Sequence, residues 1–138
     1  MGHKDTKTQR HQEFSSREEY AAKVVVNAAF AVHWHLGPGL LESIYEKCLC
    51  HAIRKRGVSV QRQVLLPIEF EDLTINSALR LDMLVDNCLV VEVKAVEILL
   101  PVHRAQLLSY LRLSRHRLGL LINFNVELIR HGITRLAS

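Results

Sequence analysis

Cysteine is scarce, with three in 138 residues. The count is odd, and Cys48 and Cys50 are too close to bridge within a regular helix. A disulfide-stapled scaffold is therefore excluded, and a reducing, cytoplasmic setting is expected. Proline and glycine are also few, at 3 and 6, while 49% of residues are hydrophobic, which excludes a disordered chain. No apolar run reaches the roughly 20 residues of a membrane-spanning helix. The most apolar stretch, Ala21 to Trp34, is interrupted by Lys23, Asn27 and His33, so no membrane partner is expected. A secretory signal is not expected either, because Met1 to Arg17 is polar and charged. Its Met1-Gly2-His3-Lys4-Asp5-Thr6 start fits the loose myristoylation pattern, which is frequent by chance. No phosphate-cradling glycine loop and no G-x-S-x-G elbow occurs. Charge of neither sign dominates: 18 Lys+Arg against 14 Asp+Glu gives +4, which permits a nucleic-acid partner without requiring one.

What is present fits a single domain. Residues 1–14 read as a flexible polar arm and 15–138 as one folded unit. Ser16 with Glu19 suggests a capping box opening a helix that runs to about His35. Its apolar residues cover more than one stripe, so it is expected to be buried on several sides, within the domain or in a homodimer or higher homo-oligomer. Gly37-Pro38-Gly39 breaks it, and a second helix follows from about Leu40 to Arg56 with Gly57 at its end. From Val58 to Phe70 the chain reads as extended, with Pro67 marking an edge or bulge. Glu71 to Asn76 reads as a turn, Ala78–Val85 and Leu89–Val96 as strands. Pro101 opens a helix to about Leu113; Leu118–Phe124 is a buried strand and Leu128–Leu136 a last strand containing Gly132. The order α-α-β-β-β-α-β-β describes an α/β domain with a central sheet.

The chemistry concentrates in Arg80-Leu81-Asp82 and Glu92-Val93-Lys94, where two acids and a lysine interrupt apolar strands. Strand side chains alternate, so Glu92 and Lys94 share a face, as do Arg80 and Asp82. A three-residue loop, Asp86 to Cys88, would set Asp82 opposite Glu92; a two-residue loop would pair Asp82 with Val91 and separate the acids. Paired carboxylates repel in a partly buried site, and a divalent cation relieves them; hard oxygen ligands suit Mg²⁺. A lysine beside such a cation can orient or activate water. The simpler reading is a cross-strand ion pair of Lys94 with Asp82 or Glu92. Glu42 opens the second helix and shares a face with Tyr45 and Glu46, and Gln106 shares one with Tyr110. For Glu42 the alternative is dipole complementarity; for Gln106 it is an amide facing water.

Taken in order, Gly39-x-x-Glu42-x-x-Tyr45, Arg80-Leu81-Asp82, Glu92-Val93-Lys94, Gln106-x-x-x-Tyr110 and Gly119-Leu120-Leu121-Ile122-Asn123-Phe124 closely resemble the GxxExxY protein family of the PD-(D/E)XK nuclease-like superfamily, over about Tyr20 to Leu136. The resemblance implies a restriction-endonuclease-like mixed sheet flanked by helices, with a metal site at a bent strand pair. It further implies Mg²⁺ or Mn²⁺ held by Asp82, Glu92, the Val93 carbonyl and Glu42. Lys94 would then act as the catalytic lysine, with Gln106 and Tyr110 holding substrate or that lysine. One departure is Arg115-His116, in the turn where the family tends to carry a glycine and an apolar residue.

The expected activity is hydrolysis of phosphodiester bonds in nucleic acid, with DNA as the expected substrate. Arg54, Lys55, Arg56, Arg80, Arg104, Arg112, Arg115 and Arg117 are candidate phosphate contacts, which would make binding salt-dependent. Arg54-Lys55-Arg56 also suits the negative end of a helix dipole as a solvated terminus. The competing expectation is a non-catalytic nuclease-fold module that binds nucleic acid or assembles with itself. His103 reads first as a solvent-facing residue of a helical first turn, with phosphate contact at the site's rim as the alternative. Asn123 and Asn125 read as turn formers. His33, His35 and His51 with Cys48 and Cys50 make a poor zinc pattern, since only Cys48 and His51 share a helix face.

Overall fold

The computed structural model describes residues 13–138. Three helices, α1 (Ser16–Leu36), α2 (Glu42–Lys55) and α3 (Pro101–Ser114), surround strands β1 (Val60–Phe70), β2 (Leu73–Val85), β3 (Leu89–Lys94), β4 (Leu118–Asn123) and β5 (Ile133–Ala137). The sheet order is β1-β2-β3-β4-β5. Only β3 and β4 pair in parallel; the other neighbours are antiparallel. A parallel pair needs a crossover, and α3 supplies it. The architecture is the expected mixed sheet flanked by helices. The polar arm and its myristoylation pattern lie outside the described residues except for Glu13 and Phe14. The Phe14 ring is held between the guanidinium groups of Arg117 and Arg135, each 5.0 Å from its centroid.

The helix α1 begins one residue earlier than the spacing predicts. Ser15 caps it, accepting from the Glu18 N–H at 3.0 Å, while the Glu18 carboxylate takes the Ser15 N–H at 2.8 Å. A second S-x-x-E pair one residue on, Ser16 and Glu19, makes the two registers indistinguishable in sequence. Glu19 instead pairs with Arg135 of β5 at 2.6 Å. Its small residues Ala21, Ala22, Ala28 and Ala29 are buried with Val24, Val25 and Val32 against one sheet face, where α2 adds Tyr45, Leu49 and Ile53. Not every apolar side chain of α1 finds a partner: Tyr20, Phe30 and Trp34 remain exposed, Trp34 at 91%.

The opposite face is covered by α3, whose Leu107 and Leu111 pack with Leu81, Leu84, Val90 and Leu121. Gly119 permits this approach, since a Cβ there would come within 3.2 Å of both leucines. β1 and β2 form a longer hairpin than the polar segment 71–76 suggests. Its turn is only Glu71-Asp72, and β2 resumes at Leu73. Thr74 to Ser77 are exposed, so no burial pattern marks them as strand. The expected irregularity at Pro67 is a register shift between Leu66 and Ile68. The last strand is shorter than predicted. Ile129–His131 is a 3-10 turn, and Gly132 lies so close to Asn123 that a Cβ would stand 2.1 Å from its carbonyl oxygen.

Candidate active site

The β2–β3 hairpin decides whether the acids meet. Val85 pairs with Leu89, leaving the three-residue loop Asp86 to Cys88, and Met83 pairs with Val91. One step further along that register Asp82 faces Glu92. Asp86 and Asn87 take left-handed φ of 49° and 54°, and Arg17 of α1 fixes the loop through a 2.8 Å ion pair with Asp86. Beyond Met83 and Val91 the two side chains replace the regular ladder. The Asp82 N–H donates to Glu92 Oε1 at 3.1 Å, and the Val93 N–H donates to Asp82 Oδ2 at 2.9 Å. The strand also bends here. Leu81 packs with the α3 cluster but Met83 with the other, and Gln63, between the β1 residues paired to them, has φ 54°.

Burial makes this pair electrostatically uncomfortable. Glu92 is 4% exposed, and burial followed by the charge of Asp82 pushes its carboxyl up to about 9. Asp82 is also raised, chiefly by burial, against the opposing help of the Val93 amide and Glu92. Burial and mutual repulsion disfavour the charged forms here, and a hard cation bound between the two acids would offset both shifts. Lys94, next on the Glu92 face, places positive charge near Asp82, Glu92 and Glu42.

Glu42 reaches the same region from the first turn of α2. Partial burial raises its pKa, Asp82 and Glu46 adding to the effect while Lys94 and the Ala95 backbone amide oppose it. Its placement comes from Tyr45 of the same motif. The buried phenol donates to the Gly37 carbonyl at 2.5 Å and accepts from the Leu40 N–H at 3.1 Å, fastening the loop that enters α2. The ring stacks on Phe124 at 4.7 Å and 6°. Gly39, at φ 100°, takes a conformation L side chains avoid. On the other side of Lys94, Asn123 exchanges two hydrogen bonds with the Val96 backbone, at 3.0 and 2.8 Å, and anchors the chain leaving β3.

From α3, Gln106 donates to the Tyr110 hydroxyl at 3.0 Å. Tyr110 is raised by burial first and then by the nearby negative charge of Glu92. Gln106 shares a cleft of about 580 Å³ with Lys94 and His103. The fold thus brings Glu42, Asp82, Glu92, Lys94, Gln106 and Tyr110 to one region. The donor set fits a hard cation of the Mg²⁺ type, which uses one or two carboxylates and retains waters. Among the described residues no group of three or more His, Cys, Asp or Glu side chains forms a cage able to hold a metal unaided.

The basic residues are more dispersed. Arg80 lies near Tyr110, and Arg104 is exposed in the first turns of α3. Arg54, Lys55 and Arg56 stand at the other end of α2 from Glu42. Arg54 donates to the Val60 carbonyl at 2.6 Å and Arg56 to Ala52 at 2.9 Å. Arg117 precedes β4, donates to the Glu13 carbonyl, and lies at the Leu89 end of β3, away from Lys94. Arg112 donates to Ser109 at 3.2 Å, and Arg115 adopts φ 61° in the turn where the family resemblance expects glycine. A network not anticipated from sequence adjoins the site: buried Glu46 accepts from Arg62 at 2.7 Å and Gln63 at 2.8 Å, and its charge raises Asp82. The i, i+4 spacing of Glu42 and Glu46 was the available signal; its partners on β1 carried none.

A family model described as the PD-(D/E)XK nuclease superfamily matches residues 19–136. No curated protein and no solved structure matches the chain.

Proposed function

Because the chain belongs to the PD-(D/E)XK nuclease superfamily, we propose that it is a divalent-metal-dependent nuclease that hydrolyses phosphodiester bonds of DNA. The observation that carries this reading is the convergence of Asp82 and Glu92, both with raised pKa values, beside Lys94. Asp82, Glu92, the Val93 carbonyl and Glu42 are the groups that would hold Mg²⁺ or Mn²⁺. Bound there, the ion would supply Lewis-acid stabilisation of charge at phosphorus and a more acidic water. Lys94 orients the attacking water and balances phosphoryl charge. Gln106 and Tyr110 fix the substrate side of the cleft through their mutual hydrogen bond. Water adds to phosphorus, one P–O ester bond breaks, and the departing oxygen leaves with a proton.

The ordered motifs also support placement in the GxxExxY family, whose three named residues have separable jobs here: a left-handed turn at Gly39, an acid at Glu42 and a loop fastener at Tyr45. Three free cysteines suit the reducing interior of a cell. No described helix is long and apolar enough to cross a membrane. The second reading, a self-associating module without catalysis, draws on the exposed Tyr20, Phe30 and Trp34 of α1.

Purified protein should cleave single- or double-stranded DNA with Mg²⁺ or Mn²⁺, and Lys94→Ala should abolish cleavage while retaining the far-UV spectrum. Intact DNA and RNA under all these conditions would refute the nuclease reading, and a monomeric wild-type protein would refute the assembly one.

A further inference from the structure

The carboxylates occupy only one side of Lys94. On its other side lies the cleft of about 580 Å³ between the end of β3 and the first three turns of α3, lined by Lys94, Val102, His103, Ala105, Gln106 and Ser109. Its four polar side chains can all donate hydrogen bonds, and no carboxylate is among its lining residues. That chemistry is opposite to the acid pocket a few residues away.

The donors are individually committed to this orientation. His103 Nδ1 accepts the Leu100 N–H at 3.0 Å, so in the neutral ring the proton resides on Nε2, which remains a free donor. Ser109 Oγ accepts from Arg112 at 3.2 Å, leaving its own O–H available, and the Arg112 charge polarises it toward donation. Gln106 spends one amide hydrogen on Tyr110 and keeps the other. Lys94 contributes the charge. Val102 and Ala105 supply an apolar wall beside this set.

We propose that this cleft is a phosphoryl-binding subsite for one nucleotide of the substrate, separate from the acid pocket, with His103 and Ser109 as its specific donors. A phosphoryl group offers several acceptor oxygens to a donor-rich surface without carboxylates, and a sugar or base can lie against Val102 and Ala105. The assignment deepens the nuclease reading and rests on it for the substrate's identity, but phosphoryl binding itself requires no cleavage. The phosphoryl group comes either from a 5′-terminal monoester or from an internal diester.

The test uses the full chain in EDTA with fluorescent five-nucleotide thymidine oligomers bearing a 5′-phosphate or a 5′-hydroxyl, and inorganic phosphate as competitor. Anisotropy should show His103→Ala weakening binding about tenfold or more, as expected for a lost hydrogen bond to a charged group. His103→Gln should recover part of that loss. Because His103 also caps α3, Ser109→Ala provides an independent variant that leaves the cap intact; it should weaken binding several-fold. Preference for the 5′-phosphate assigns the monoester as the occupant, and equal binding of both oligomers assigns the diester. Wild-type affinity in both His103→Ala and Ser109→Ala, or no competition by phosphate, overturns the subsite. If DNA cleavage fails but these losses appear, the subsite stands and the nuclease reading falls. Cleavage with unchanged KM in both variants has the reverse meaning.

Discussion

Replacing Glu92 by glutamine should make the metal-free protein more stable at alkaline pH. Burial and the neighbouring Asp82 raise the Glu92 carboxyl from its ordinary 4.5 to about 9. Between those values the folded chain retains a proton that the unfolded chain releases. Stability from this group is therefore complete below about pH 4.5 and is lost as pH rises through about 9. The slope is a little over 1 kcal/mol per pH unit, or about 4 kcal/mol between pH 5 and pH 8. That is a large share of a typical stability of about 5–15 kcal/mol. Glutamine keeps the shape, accepts the Asp82 N–H as Glu92 does, and can donate to the Asp82 carboxylate without carrying charge. Urea unfolding at pH 5, 6, 7 and 8 in EDTA measures the effect. Far-UV circular dichroism should follow it, because the lone tryptophan, Trp34, is already 91% exposed and is a poor reporter. The wild type should lose stability relative to Glu92→Gln across this series. Saturating Mg²⁺ or Mn²⁺ should flatten the wild-type curve and leave the variant's almost unchanged. Parallel curves for the two proteins in EDTA would refute the argument that Glu92 is protonated in the empty site.

Other substitutions separate structural from chemical roles. Tyr45→Phe keeps the stacked ring but leaves the Gly37 carbonyl and Leu40 N–H without their partner, so unfolding should show a loss of about 1–3 kcal/mol. Gly132→Ala drives a methyl into the Asn123 carbonyl oxygen; thermal unfolding should reveal a cost of about 1–3 kcal/mol or more. Arg17→Ala removes an exposed ion pair with Asp86 and a hydrogen bond to its carbonyl, and should change stability by about 1 kcal/mol or less in the same assay. Arg115→Gly relieves a left-handed φ of 61° and should leave stability equal or improved; a clear loss would show that the Arg115 side chain has a structural task.

The helices, the buried β3 and β4, and the pairing of acidic and basic motifs were legible because their apolar periods are long and their polar interruptions few. The site's register was legible only as two alternatives. Choosing between them required the loop that Arg17 anchors from a helix about seventy residues earlier in the chain. Thr74 and Ile75 were unreadable as strand because pairing with Glu69 and Ile68 of β1, without burial, holds them there. Glu46 was visible on the Glu42 face, but its burial depends on Arg62 and Gln63, which nothing in the local pattern connects to it. The phosphate contacts were least legible, since a basic residue has the same appearance whether it caps a strand, as Arg54 does, or lies near the cleft, as Arg80 does.

The amides that pin Asp82 and Glu92 have a thermodynamic consequence for any ion that enters. Free aspartate and glutamate side chains populate several rotamers, and immobilising a glutamate can cost up to about 2 kcal/mol of entropy. Here the Asp82 and Val93 N–H groups have already restricted that freedom when the sheet formed. Each carboxylate has further lone pairs beyond the one its amide occupies. An ion bound there would meet carboxylates already gathered, so that the folding of two strands would have done in advance part of the work of coordination.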